Sequence, residues 1–150
     1  MSQKITKELN PSYGSIQRLR TRDTDVVVFT QDKVLKVLAN KDSLFAATDR
    51  VLGTAIPFVG DYGISTDPES LAWDKYRMYF TDRQRGAVLR LSRDGLTPIS
   101  DAGMTSWFRT NIKHSSDALG TFDSTTGDYN LSLKYFNNKS FNNKTISFNE

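Results

Sequence analysis

Period-two alternation of side chains dominates residues 76–100, which read YRMYFTDRQRGAVLRLSRDGLTPIS. Successive side chains of a β-strand point to opposite faces, so this pattern predicts strands. In the first strand, one face carries Tyr76, Met78 and Phe80, and the other carries Arg77, Tyr79 and Thr81. In the second strand, one face carries Ala87, Leu89 and Leu91, and the other carries Val88, Arg90 and Ser92. The segment therefore predicts an antiparallel hairpin.

Turn signals bound these two strands. Residues 82–86 predict a short turn that ends on glycine, and the pair Asp94–Gly95 is a strong signal for a tight turn. The residues LTPIS then begin a third strand. Pro98 favours an edge position for that strand, because proline has no N–H to donate to a neighbour.

A second hairpin is predicted upstream. The run VVVFT at residues 26–30 is β-branched and aromatic, as in buried strands, and KVLKVLA at residues 33–39 resumes after a turn at Gln31 and Asp32. Glycine and proline are then frequent as far as residue 70, which predicts a long loop.

One short strand is expected within that loop, near residues 54–59. Pro57 predicts that this strand lies at an edge or is irregular, for the same reason as Pro98.

One helix is predicted in DAGMTSWFRTNIKHSSD, from residue 101 onward. Its apolar residues fall at helical spacing and form one stripe: Met104, Trp107, Phe108 and Ile112. Ser100 or Asp101 is the expected N-cap, since both side chains can accept from free helical N–H groups.

The last third of the chain returns to strand patterns. A hairpin is predicted from Ala118 to Phe136, with its turn at STTGD. A polar loop, NNKSFNNK, should follow, and TISFNE should begin one more strand. A final strand without a closing partner leaves an open edge, so we expect either a fragment or pairing with another subunit.

The predicted fold class is all-β, built mainly from antiparallel hairpins with one short helix. Hairpins recur roughly every forty to fifty residues, which is the period of a propeller blade. We therefore expect a partial β-propeller-like or multi-hairpin sheet; an irregular β-sandwich is the alternative. Residues 1–13 are interpreted as a polar arm or linker, and residues 14–150 as a β-rich domain within a larger propeller-like domain.

Composition narrows the functional classes. The chain has no cysteine, so disulfides and thiolate chemistry are excluded. No apolar stretch resembles a signal peptide or a membrane span, so no membrane association is expected. The net charge is only +3, with 20 basic and 17 acidic residues, so nucleic-acid binding is not expected.

Arginines are the most frequent charged residues in the 76–100 segment. They could track nucleic-acid phosphates, with Trp73, Tyr76 and Tyr79 stacking on bases, or pair with nearby aspartates, or face a neighbouring subunit. The candidate interface residues are Arg77, Tyr79, Arg83, Arg85 and Arg90. If they face a partner, charge reversal at the last three should block assembly without unfolding the chain.

No catalytic, metal-binding or cofactor-binding residues are predicted. The single histidine, His114, has no GxSxG serine to pair with, and the chain has no calcium-loop or phosphate-loop motif. Asp67, Glu69 and Asp82 are carboxylates that a glycosidase could use, but nothing selects them, and turn or capping roles fit them better. We expect a protein that is not an enzyme and needs no cofactor.

Three runs of the chain resemble structural proteins of tailed bacteriophages, namely the large β-rich proteins of tail, neck or baseplate assemblies. They are VVVFTQDKVLKVLANKDSLF, RVLGTAIPFVGDYGISTDPESLA and YRMYFTDRQRGAVLRLSRDGLTPISDAGMTSWFR. The closing LGTFDSTTGDYNLSLKYF is similar to the next part of the same pattern, so the resemblance covers roughly residues 13–150. It implies a propeller-like or multi-hairpin fold and a role in assembly.

The expected function is therefore structural: a virion component that binds other virion proteins or copies of itself. A glycan- or host-receptor-binding module is one alternative, with a host glycan as partner and aromatic side chains on a loop rim. A propeller-type glycosidase or depolymerase is the other.

Overall fold

The computed structural model of the chain describes residues 9–22, 25–39, 52–75, 77–93, 95–137 and 140–149. Within those residues, the strands form three antiparallel sheets, and one α-helix packs beside them. The all-β prediction with one short helix is confirmed.

The first sheet is a meander of four strands in chain order. Its strands are β1 (Ile16–Thr21), β2 (Asp25–Thr30), β3 (Val34–Ala39) and β4 (Leu52–Pro57). The predicted hairpin is β2–β3, and β4 lies at the edge, as Pro57 suggested. The sequence interpretation missed β1, which pairs with β2 through a register shift between Ile16 and Arg18.

The second sheet repeats this four-stranded meander. Its strands are β5 (Ala72–Trp73), β6 (Met78–Asp82), β7 (Ala87–Ser92) and β8 (Gly95–Pro98). The predicted hairpin is β6–β7, in which Phe80 faces Leu89 across the ladder. The predicted edge strand with Pro98 is β8.

The third sheet has three strands in the order β11–β10–β9. They are β9 (Asp117–Asp123), β10 (Asp128–Asn137) and β11 (Ser140–Asn149). The predicted polar loop is wrong between residues 140 and 144, which already belong to β11. Cross-strand pairing with β10 outweighs their low strand propensity.

Helix α1 (Thr105–His114) precedes the third sheet. Phe108 and Ile112 are buried as the stripe predicted, but Met104 lies outside the helix and is exposed. The predicted caps are wrong, because Ser100 and Asp101 belong to a separate 3-10 turn, Ile99–Ala102. The Ser100 hydroxyl instead accepts from the Val88 N–H at 3.1 Å, which anchors that turn to β7.

The three sheets are stacked face to face, with the second in the middle. One core cluster joins the first and second sheets, and Phe29 meets Phe80 edge to face there, with ring centroids 5.2 Å apart. Another joins the second sheet, the third sheet and α1, around Tyr79, Tyr129 and Ile112. No core cluster of the described residues joins the first sheet directly to the third.

The outer face of the first sheet has its own small apolar cluster. Val28, Leu35 and Val37 are buried there beneath Leu9 and Tyr13. The part of the predicted N-terminal arm from residue 9 onward therefore packs on this sheet. Residues 1–8 lie outside the described residues.

The 3-10 turn Pro68–Ser70 couples the second sheet to the third. The Ser70 hydroxyl accepts a hydrogen bond from the Thr81 N–H at 3.1 Å. The Ser70 backbone carbonyl accepts one from the Tyr129 hydroxyl at 2.7 Å. Gly120 on β9 makes this approach possible, because a Cβ there would lie 2.1 Å from the same carbonyl oxygen. The close packing of the second and third sheets thus depends on glycine at position 120.

We predict that Gly120→Ala destabilises the protein. The added methyl would push apart the Ser70–Tyr129 contact, and overpacking of this kind costs about 1–3 kcal/mol. Urea denaturation measures the loss. Gly103→Ala is the matched control, since a Cβ there meets nothing within 4 Å; equal losses in the two variants would contradict the prediction.

Candidate functional site

The five predicted interface residues all lie in or beside the β6–β7 hairpin of the second sheet. They are Arg77, Tyr79, Arg83, Arg85 and Arg90. Since this hairpin is in the middle of the stack, both of its faces pack against other sheets. That position decides what each of the five side chains contacts.

Tyr79 is a core residue, so the prediction that it faces a partner is wrong. Its side chain is only 2% exposed. Its ring stacks on those of Tyr129 and Phe122, with centroids 5.1 and 5.6 Å away. The alternation placed it correctly on the face opposite Phe80, but the third sheet covers that face.

Arg83 connects the second and third sheets. Its guanidinium forms an ion pair with Asp67, and its Nη2 also donates to the Ser116 carbonyl at 2.9 Å. Asp67 immediately precedes the Pro68–Ser70 turn and is buried. Arg83 therefore supplies the counter-charge for a carboxylate inside the protein.

Arg85 has the same role for Asp82, which is fully buried. The Asp82 carboxylate accepts from the Arg85 side chain at 2.9 Å and from the Arg85 N–H at 3.2 Å. It also accepts from the Gly63 N–H at 3.0 Å and the Ser65 hydroxyl at 2.9 Å. Arg85 reaches Asp32 of the first sheet as well, at 3.7 Å.

Asp82 thereby fastens the long loop between β4 and β5 to the second sheet, and backbone hydrogen bonds fasten the same loop to the first sheet. The Ile64 and Ser65 N–H groups donate to carbonyls of Thr30 and Gln31 at 3.0 and 3.1 Å. Ser65 has a left-handed backbone, φ 53°, which costs a non-glycine residue free energy. Its two contacts, to Asp82 and from the Gln84 N–H, offset that cost.

The remaining two arginines lie nearer the surface. Arg77 is exposed just before β6, and Arg90 is half-buried in β7. Both interact with other groups of the chain. Of the predicted set, Arg77 is therefore the most accessible to a partner.

Two arginines of β1 contact Trp73 of β5, which was a candidate for stacking on nucleic-acid bases. The Arg20 Cζ lies 3.9 Å from the Trp73 ring centroid, and the Arg18 Cζ lies 5.6 Å away. Arg18 also donates to the Pro68 carbonyl at 3.2 Å. This cation–π contact joins the edge strands of the first two sheets.

Burial raises the pKa of Asp67 to about 6, although the Arg83 guanidinium opposes the shift. Its second oxygen, Oδ2, has no hydrogen-bond partner among the described residues. A buried carboxyl with a raised pKa is a common feature of functional sites. Here the Asp67 carboxyl is itself the partner of Arg83 in a buried ion pair, which gives it a structural role.

An open groove of about 510 Å³ lies beside the β6–β7 turn. Its charged lining residues carry both signs: Asp61, Arg85, Asp101 and Arg109. Neither Asp67 nor Asp82 lines it. The groove therefore does not expose either buried carboxylate to a ligand.

The described residues contain neither a candidate metal site nor a candidate membrane-spanning helix. Among them, no three His, Asp or Glu side chains cluster as a metal site would require. His114 ends α1 with its Nδ1 2.7 Å from the Thr110 carbonyl. No helix within the described ranges has the length and apolar character needed to cross a membrane.

Comparison with known proteins adds no family: no protein-family model matches the chain, and no curated protein matches it in sequence.

We predict that Arg85→Glu lowers the free energy of unfolding by about 3–5 kcal/mol, because buried Asp82 would lose its counter-charge. This replaces the expectation that reversing Arg83 and Arg85 leaves the fold intact. Urea denaturation tests it. Arg109→Glu, an exposed position on α1, is the control and should change stability by about 0.5 kcal/mol or less. A similar loss in both variants would refute the structural role of Arg85.

The raised pKa of Asp67 predicts a pH-dependent contribution to stability. Because its pKa in the folded chain is about 6 and its ordinary value is 3.8, the stability it contributes is fully present below pH 3.8 and is lost as pH rises through 6. Asp67→Asn removes this titration. The free energy of unfolding of the variant, relative to that of the parent protein, should therefore rise by roughly 1–3 kcal/mol between pH 4 and pH 7.

Urea denaturation of both proteins at several pH values measures that gain. Carboxylates with a lowered pKa, such as Asp25, titrate in both proteins. Their contributions therefore cancel when the free energy of unfolding of one protein is subtracted from that of the other. A difference that stays constant with pH would contradict the assignment.

Proposed function

We propose that this chain is a structural protein of a tailed-bacteriophage particle, which acts through protein–protein contacts and catalyses no reaction. Its location is the virion, and its partners are other virion proteins or further copies of itself. Its two four-stranded meanders and the three-stranded third sheet serve as propeller-like blades. The resemblance of residues 13–150 to β-rich tail, neck and baseplate proteins is the starting point of this proposal.

The observation that carries the proposal is the exposed apolar surface of β1, the edge strand of the first sheet. Ile16 is 53% exposed and Leu19 is 58% exposed. On the opposite face of the same strand, Arg20 holds Trp73, which is 36% exposed. Apolar, arginine and tryptophan side chains at one edge form a composition typical of protein–protein contacts.

The buried ion pairs support the same function. Arg83 anchors the loop between β4 and β5 through Asp67, and Arg85 joins Asp82 of the second sheet to Asp32 of the first. The sheet that carries β1 is therefore tied to its neighbour. A preorganised surface pays less conformational entropy when it binds. This suits a component whose task is to hold neighbours in position.

Residues that glycan binding or glycoside hydrolysis would need lie in positions that do not suit those functions. Tyr79 is buried, which removes one of the three aromatics from the proposed glycan-binding rim. Trp73 already stacks with Arg20, and Tyr76 lies outside the described residues. For a glycosidase, Asp82 would have to leave four hydrogen bonds to reach a substrate. These placements favour assembly over sugar recognition or hydrolysis.

The direct test measures the chain in purified phage particles. We expect a fixed number of copies per particle by quantitative mass spectrometry, after density-gradient purification from cells that produce the chain. Absence from the particles, with the chain left in the soluble fraction, would overturn the virion role.

The β1 surface predicts a variant that assembles poorly. Leu19→Glu places a charge in the apolar contact and should lower incorporation into particles at least about tenfold, which corresponds to about 1.4 kcal/mol. Thr121→Glu is the matched control, because Thr121 is also exposed but lies on β9 of the third sheet, away from β1. Incorporation and thermal unfolding are measured for both; equal incorporation of folded Leu19→Glu would refute the β1 contact.

A further inference from the structure

The outer edge of the third sheet is long, regular and unpaired on one side. Strand β11 faces β10 through ten residue pairs without a register shift, and no strand of the described residues covers its other side. The first and second sheets each have four strands, whereas this sheet has three. Among the described residues, no strand takes a fourth position in it.

The backbone groups that face this opening can be identified. The Lys134 carbonyl accepts from the Ser116 N–H at 2.7 Å, so the backbone of Lys134 points toward β9. Backbone groups alternate in direction along a strand, so the neighbouring Leu133 points toward β11 and bonds its partner Lys144. Consequently Asn143, Thr145 and Ser147 direct their N–H and C=O groups outward.

Nothing in the described side chains protects this edge. Natural sheets protect exposed edges with proline, bulges or outward charges. Strand β11 has no proline and only one charged residue, Lys144. That lysine turns inward: its Nζ contacts Asn111 Oδ1 at 2.9 Å and lies 5.2 Å from the Tyr135 ring centroid.

We propose that β11 pairs antiparallel with β11 of a second copy of the chain, so that two third sheets join into one six-stranded sheet. A second copy fits better than a foreign strand because two-fold pairing closes both open edges at once. The inference rests on the proposed function for its setting, an assembly, and names the surface through which copies meet.

The pairing register follows from the outward groups. Only residues whose backbone points outward can bond across the two-fold axis. If the axis passes beside Thr145, the two β11 strands overlap over the greatest length that does not place Lys144 opposite the partner subunit's Lys144. Thr145 then faces the partner subunit's Thr145, and Asn143 faces the partner subunit's Ser147. These polar side chains suit cross-strand pairs. Lys144 faces the partner subunit's Ile146.

Single-cysteine variants test this register, since the chain has no cysteine of its own. Thr145→Cys places two thiols across the axis, within disulfide range. Asn143→Cys is equally exposed on the same strand, but its two copies would lie about 13 Å apart, which is too far to bridge. Under mild oxidation we expect covalent dimers of Thr145→Cys at least about tenfold faster; equal rates would overturn the pairing.

Removal of one outward N–H tests the pairing without new cross-links. Asn143→Pro deletes an edge donor while leaving the ladder to β10 intact, and Asn143→Ala is its matched control. Light scattering should show dimers for the parent protein and the alanine variant, and at least a tenfold weaker dimer for the proline variant, with circular dichroism unchanged.

A parent chain that stays monomeric at every concentration, or a proline variant that dimerises as well as alanine, would overturn the inference. Neither result bears on whether the chain is incorporated into phage particles, so the two proposals fail separately.

Discussion

The fold depends on one fully buried carboxylate, that of Asp82. It receives the Gly63 N–H, the Ser65 hydroxyl and the Arg85 guanidinium, and so it holds the β4–β5 loop in the space between sheets. A buried charge of this kind is tolerated only when its lone pairs are satisfied. The loop, the turn and the arginine must therefore adopt their positions together. The Arg83–Asp67 pair is less complete, because Asp67 Oδ2 has no hydrogen-bond partner among the described residues.

The middle position of the second sheet explains why charged residues are found inside the stack. A sheet covered on both faces has no solvent face on which to place its arginines, so each must be neutralised where it lies. Arg83 and Arg85 meet this demand at the β6–β7 turn, where the strands end and loop carboxylates can approach. Apolar packing fills the remaining area, with Phe80 on one side and Tyr79 on the other.

Two edges of the stack differ in the contacts that they offer. Strand β1 presents Ile16 and Leu19, whose binding free energy would come from apolar burial. Strand β11 presents backbone N–H and C=O groups flanked by threonine, serine and asparagine, whose pairing would be directional. The outer face of the third sheet is polar, and Ser132 and Thr145 bond each other across it at 2.9 Å. The first edge suits a different protein, and the second suits another copy.

Local pattern determined the strands of the β2–β3 and β6–β7 hairpins, the two proline-bearing edges and the helix with its buried Phe108 and Ile112, because period and turn chemistry depend on near neighbours. It could not reveal β1, whose apolar residues Ile16 and Leu19 do not alternate because the register shifts between Ile16 and Arg18. Nor could it reveal the inward placement of Tyr79. Arg85 and Asp82 are three residues apart in one turn, but Asp67 with Arg83 and Arg20 with Trp73 join residues distant in sequence. Alternation determines which residues share a face; only the stacking of sheets decides whether that face meets water or another sheet, because burial depends on residues distant in sequence.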